Sequence, residues 1–315
     1  MLKDLLESGK CFKLVCGAGN QDLAEVEKLT ALYAKAGCRF FDLNASKEVI
    51  NAAKRGLEFA EVKDAYLCVS VGIKGDPHVN KAVIDYEKCI SCGQCDEICP
   101  QKAIVYHKVK KNRCIGCGRC LKVCPKGAIS YISEAKELSE VLPPLLEMGI
   151  DCVEFHADGK DYNEIFKNWE YIKSNFRGIV SICTSRGNLS DTELVEFLKK
   201  ITSNIEPSRT IVQADGFPMS GGQDDFKTTL QAVATAEIVQ NANLPVFIML
   251  SGGTNSKTAE LAKMCGINYN GIAIGSYARK IVSKYVSRED FLTNEKVFNE
   301  ALEVAQKLVL SVLES

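Results

Sequence analysis

Eight short apolar runs, each followed by a helical pattern, predict an α/β chain, and more narrowly a (β/α)8 barrel of the TIM type. A doubled cysteine phrase falls between the third run and its helix. It reads Cys89-x-x-Cys92-x-x-Cys95-x-x-x-Cys99-Pro100 and returns as Cys114-x-x-Cys117-x-x-Cys120-x-x-x-Cys124-Pro125, the spacing of a bacterial two-[4Fe-4S] ferredoxin-like unit. Length agrees. Setting aside the 47 residues 85–131 leaves 268 of 315, close to the ~250 of a single barrel. A doubly wound open sheet is the competing architecture, and glycines after the seventh and eighth runs favour the barrel.

Phe12 to Val15 is an apolar run closed by Gly17 and Gly19, which suits a buried parallel strand. Asp22 to Ala36 carries Leu23, Val26, Leu29, Leu32 and Tyr33 at helical spacing, and Gly37 stops it. Cys38–Leu43 and Ser46–Val62 repeat the unit, and Tyr66–Val71 is the third strand. Gly75-Asp76-Pro77 then breaks the pattern, and its helix returns only at Glu134–Met148. Strands follow at Cys152–His156, Ile179–Cys183, Thr210–Asp215, Pro245–Leu250 and Gly271–Ile274. Helices are expected near 162–174, 190–203, 226–241, 256–265 and 289–313, with Ser190 and Glu193 forming a capping box. The barrel therefore occupies 1–79 and 134–315, and the insert 80–133. An insert after a strand lands on the barrel's C-terminal rim, where barrel enzymes keep their active sites.

The insert is an internal duplication, because Ala103, Ile104 and Tyr106 recur as Ala128, Ile129 and Tyr131. Three thiolates at i, i+3 and i+6 can wrap one iron–sulfur cube, and the fourth, ahead of proline, reaches the other cube. Cys89, Cys92, Cys95 and Cys124 are thus assigned to one [4Fe-4S] cluster, and Cys99, Cys114, Cys117 and Cys120 to the second. A structural zinc site is the alternative, but it leaves the third cysteine, the Cys-Pro ending and the doubling unexplained. Residues 85–131 carry nine Lys or Arg against four acids. Part of that excess balances the clusters, and the run Lys108 to Arg113 suits an acidic electron partner such as ferredoxin or flavodoxin.

Net charge is −1, so nothing points to nucleic acid, and no apolar run reaches the roughly twenty residues of a membrane helix. A signal-peptide core is absent from the first residues, and a cytoplasmic location is expected. Fifteen cysteines in such a setting mean metal or reactive thiols before disulfides.

Outside the insert, the strand ends carry the chemistry. Gly252 and Gly253 follow the seventh strand, and Gly275 and Ser276 the eighth. Paired glycine loops at helix starts can hold a phosphate, as of flavin mononucleotide, although either alone reads as a tight turn. Asp215, ahead of a glycine-rich stretch to Gly222, is placed to bond a sugar or ribityl hydroxyl. Lys13 and Glu154 lie inside strands and are expected to pair, with His156 on the same face as Glu154, as an ion pair or a proton-handling set. Cys16 and Cys183 end their strands, as buried thiols, redox-active thiols or ligands to a further metal.

Phe12-Lys13-Leu14-Val15-Cys16-Gly17-Ala18, the doubled cysteine phrase, Ala214-Asp215-Gly216-Phe217-Pro218-Met219-Ser220-Gly221, Leu250-Ser251-Gly252-Gly253-Thr254-Asn255 and Gly271 to Arg279 occur in that order over nearly the whole chain. This set resembles the light-dependent period protein A family of iron–sulfur proteins. The resemblance implies a cluster-bearing protein that senses or relays redox state, and it supplies no reaction. Three functional expectations follow. The first is an electron-transfer or redox-sensing protein with two [4Fe-4S] clusters. The second is a ferredoxin-fused oxidoreductase passing electrons to a flavin or phosphorylated substrate at the barrel face. The third is a docking subunit of a larger redox complex.

Overall fold

The computed structural model describes residues 1–17, 19–74, 80–133, 135–157, 161–185, 189–216 and 223–314. Helix α1 (Leu2–Glu7) precedes strand β1 (Cys11–Val15), followed by α2 (Leu23–Lys35), β2 (Phe40–Asn44), α3 (Lys47–Phe59) and β3 (Tyr66–Gly72). The insert supplies β4 (Asn80–Ile84), α4 (Gln94–Ile98), β5 (Ile104–Val105), β6 (Lys108–Val109), a 3-10 turn at Lys111–Arg113, α5 (Arg119–Val123) and β7 (Ile129–Ser133). The alternation resumes with α6 (Leu138–Leu146), β8 (Cys152–His156), α7 (Tyr162–Asn175), β9 (Ile179–Ser185), α8 (Asp191–Thr202), β10 (Thr210–Asp215) and α9 (Phe226–Asn241). It ends with β11 (Phe247–Ser251), α10 (Thr258–Met264), β12 (Gly271–Ile274), α11 (Ser276–Val286) and α12 (Glu295–Leu313).

Eight of these strands close a parallel barrel in the order β1-β12-β11-β10-β9-β8-β3-β2. The expected barrel, rather than the open sheet, is therefore the fold, and the ferredoxin-like unit follows its third strand. Period-two alternation decides what each strand buries. Outward side chains such as Leu14, Leu43, Val69, Phe155, Ile182 and Ile274 pack in one core with the surrounding helices. Inward side chains form layers. The lowest is apolar, with Cys11, Phe40, Cys152, Ile179, Ile211 and Phe247 closed from below by Leu2 and Leu6 of α1. The layer above it is polar and buried, with Lys13, Asp42, Ser70, Glu154, Ser181 and Gln213.

Two helices differ from the sequence reading. Helix α1, which plugs the barrel floor, was not expected, because six residues are too short for a readable period. The chain after β12 forms two helices rather than one, since Ala278, Val282 and Val286 make a period-four stripe broken by exposed charges. The Ser190–Glu193 capping box is present as expected.

The insert is tied by antiparallel pairing of β4 with β7, Asn80 opposite Ser133 through Ile84 opposite Ile129. Its duplication is visible in backbone geometry. Gly93 and Gly118 both cap their helices in the left-handed region, at φ +79° and +77°. Cys99 and Cys124 both leave the helix at ψ 111° and 110°, as the following proline requires. That turn swings each fourth thiol away from its own helix. The insert docks on the barrel through the Arg113–Glu25 ion pair and a bond from Gln21 N to Asn112 O of 2.7 Å.

Candidate functional site

The eight motif cysteines surround two small cavities. Cys99, Cys114, Cys117 and Cys120 wall one, and Cys89, Cys92, Cys95 and Cys124 the other. The sulfur environment fits iron–sulfur ligation, because three thiols face backbone donors of the kind that stabilise cluster sulfurs. Cys99 Sγ accepts from Ala103 N at 3.2 Å, Cys114 Sγ from Ala82 N at 3.3 Å and Cys124 Sγ from Ala128 N at 3.3 Å. Lys81, buried on β4, donates to Cys114 O at 3.0 Å and sets a cation behind the set that contains Cys114. Sequence reading missed it because it lies outside the doubled phrase.

At the C-terminal mouth of the barrel lies a cavity of about 330 Å³. Its walls include Glu154, His156, Cys183, Asp215, Gly252, Gly253, Gly275 and Ser276, so most of the expected barrel-site residues converge here. Cys16 does not join them. Its side chain is buried in the helix layer, which follows from Lys13 facing inward three positions earlier. The glycine-rich stretch after Asp215 falls largely at 217–222, and it and the Gly75-Asp76-Pro77 break lie outside the described residues.

Below the cavity the polar layer is one network. Lys13 Nζ lies 2.5 Å from Glu154 Oε2 and 3.9 Å from Asp42 Oδ1. Ser181 Oγ donates to Glu154 Oε2 at 3.1 Å, and Gln213 Nε2 donates to the same oxygen. Ser70 Oγ donates to Asp42 at 2.7 Å. Burial opposes charge on Lys13, but Asp42, Cys68 and Glu154 more than offset it, so its pKa stands well above that of an ordinary lysine. Burial likewise opposes Glu154, yet Lys13 and His156 hold its carboxyl below the usual range. Asp42 goes the other way. Burial pushes it up to about 6, against the pull of Lys13 and with Glu154 adding to the rise. Asp42 was missed in the sequence because an isolated Asp in an apolar strand has no local signature.

The mouth itself is shaped by close backbone approaches. Gly252 has φ +68°, and a Cβ there would stand 2.2 Å from Asp215 Oδ1 and 2.7 Å from Gly216 N. Gly266 has nearly the same φ, +69°, with nothing within 4 Å. Gly252→Ala is therefore expected to lower the melting temperature well beyond Gly266→Ala, a comparison that cancels the backbone strain of about 1–3 kcal/mol common to both. Equal losses would show that this approach is not tight. Gly17 makes room in the same way for Arg279, whose Nη1 donates to Cys16 O at 3.0 Å and which lines the cavity beside Gly275 and Ser276. Sequence reading quoted Arg279 but gave it no role.

Residues 144–311 match the light dependent period A C-terminal domain family, and residues 82–133 match the 4Fe-4S dicluster domain family. The curated protein "Light dependent period A" of Synechococcus elongatus is 30% identical over 292 residues, covering 88% of this chain and 82% of that protein. The chain belongs to the light dependent period A family. With the dicluster match beside this relationship, the chain is a redox-related iron–sulfur protein. Among solved structures, the carboxyl transferase domain of Rhizobium etli pyruvate carboxylase aligns over 99% of this chain at TM-score 0.49 and 9% identity. The chain spans 49% of that structure's length. Tryptophan synthase from M. tuberculosis aligns at TM-score 0.47 and 10% identity, over 99% of this chain and 98% of that one. Among the described residues no helix is long and apolar enough to cross a membrane.

Proposed function

We propose that this chain is a two-cluster iron–sulfur electron carrier whose barrel mouth holds the electron acceptor, a phosphate-bearing redox ligand of the flavin mononucleotide kind. Cys89, Cys92, Cys95 and Cys124 hold one [4Fe-4S] cluster, and Cys99, Cys114, Cys117 and Cys120 hold the other. Bound clusters of this type supply reversible one-electron storage.

One observation carries the reading. Gln101 and Ile115 line both the cavity among Cys99, Cys114, Cys117 and Cys120 and the cavity at the barrel mouth. A single layer of side chains thus separates the two, and the insert forms a wall of the barrel site.

The remaining roles follow from charge. Gly252, Gly253 and Gly275 let backbone approach an anion, Ser276 begins α11 with its positive dipole end, and Arg279 adds a full charge, so the phosphate lies on this side. Glu154 and His156 lie deeper and hold or release a proton at His156 Nε2. Asp215 and Cys183 face the same volume. Lys108, Lys110 and Lys111 are exposed near the β5–β6 hairpin and suit an acidic electron donor such as a ferredoxin or flavodoxin.

The test is anaerobic purification with iron, acid-labile sulfide and released flavin counted on one sample. About eight irons with one flavin per chain is the expected result. About eight irons with neither flavin nor another phosphate ester released would remove the acceptor from the barrel and leave a relay or sensor that acts outside it.

A further inference from the structure

Glu154, His156 and Cys183 present one oxygen, one nitrogen and one sulfur, all within 4.8 Å of one another, at the floor of the barrel-mouth cavity. They come from the ends of two adjacent strands, β8 and β9, where His156 is the register partner of Cys183. The two oxygens of Glu154 have different surroundings. Oε2 is taken by Lys13, Ser181 and Gln213. Oε1 lies 3.3 Å from His156 Nε2. A carboxylate oxygen and an imidazole nitrogen that face each other this closely require a positive species between them, either a proton or a metal ion.

We propose that Glu154 Oε1, His156 Nε2 and Cys183 Sγ bind a single divalent metal ion, zinc by its donor set, with its open coordination position facing the barrel-mouth cavity. Ligands about 2.0–2.3 Å from a tetrahedral ion stand roughly 3.3–3.8 Å from each other, and the Glu154–His156 separation already meets that. The sulfur lies within 4.8 Å of the other two donor atoms, a limit about an ångström beyond that range. Mixed oxygen, nitrogen and sulfur donors in a set of three, beside a cavity, are the pattern of zinc sites that keep a position open. Lys13, Ser181 and Gln213 then act as the outer groups that orient Glu154.

Two further observations support a cation here. Asp42, Glu154 and Asp215 line the cavity, and Cys183 Sγ is 3.6 Å from Asp215 Oδ2, so three carboxyl groups gather here, with Lys13 beneath them and Arg279 beside Gly275 and Ser276. Gln213 Oε1 is buried in the cavity wall and has no hydrogen-bond partner among the described residues. Its Nε2 is held by Glu154, so the free carbonyl oxygen suits a donor on a ligand or water carried by the ion. A second group, Asp42, Cys68 and Glu154, is fully buried around Lys13 and reaches no open volume through Cys68, which makes it the poorer choice. An ion at the first group would polarise an oxygen of whatever occupies the mouth. All three donors belong to the barrel, so the inference stands apart from cluster binding; where the ion is bound it takes the place of the proton at His156 Nε2.

The anaerobically purified, cluster-loaded chain is dialysed against zinc sulfate and desalted, and zinc and iron are then counted on one sample. One zinc per chain with iron unchanged is expected. His156→Ala and Cys183→Ser are each expected to weaken zinc binding at least about tenfold, while Cys265→Ser, at an exposed cysteine elsewhere, keeps it. Cobalt in place of zinc is expected to add a thiolate-to-cobalt absorption, read as a difference spectrum, that Cys183→Ser removes. Near-ultraviolet circular dichroism checks that each variant is folded. No zinc on the wild-type chain, zinc retained by both ligand variants, or zinc gained only as iron is lost would overturn the proposal.

Discussion

Cys99→Ala is expected to lose the same cluster as Cys114→Ala, not the cluster lost by Cys92→Ala, although Cys92 and Cys99 belong to one motif copy. The reason is local. Cys99 precedes Pro100, leaves α4 in an extended conformation and joins the cavity walled by Cys114, Cys117 and Cys120. Cys124, ahead of Pro125, does the reverse. Each single substitution should cut iron from about eight to about four per chain. Electron paramagnetic resonance of the reduced protein then tells which signal survives, since the two sets differ in exposure and in the nearby Lys81. If Cys99→Ala instead silences the signal that Cys92→Ala silences, each motif copy holds its own cluster and the crossed assignment fails.

Lys13→Met is the second large effect. Lys13 is 0% exposed, lies against Glu154 and Asp42, and stands 5.2 Å from the centre of the Phe40 ring. Methionine fills much the same volume, so the loss is one of charge rather than packing. Two carboxylates then share a buried layer with no ammonium between them, and removing one member of a buried pair typically costs about 3–5 kcal/mol. Urea unfolding followed at Trp169, the chain's one tryptophan and a core residue of the barrel, reads the loss directly. The half-exposed pair Lys74–Glu164 serves as control, and its removal is expected to shift the midpoint far less. Adding Glu154→Gln to Lys13→Met should recover part of the loss, because it removes one of the stranded charges. A midpoint for Lys13→Met no lower than that of the Lys74 control would mean that the interior network is not what holds this layer.

Much of this was legible in the chain itself. Cluster chemistry rests on thiols three residues apart and on Cys-Pro steps, and both act through local backbone geometry, so Cys89 to Pro125 could be read without a fold. The barrel was legible because strand and helix periods alternate eight times. The phase within β1 was in the chain but was passed over: Lys13 faces inward, so Cys16, an odd number of positions away, faces the helices, although its place at a strand end had put it among the site residues. Partners across the barrel were not legible. Asp42 meets Lys13 and Glu154, Arg279 reaches the end of β1, and Gln101 and Ile115 wall two cavities at once, each over long separations in sequence. Sequence alone determined which groups this protein owns and the period on which they are carried. Only closure of the barrel decided which of them meet, because a closed parallel sheet sets distant strand ends around one axis and gives each inward side chain neighbours that no local pattern encodes.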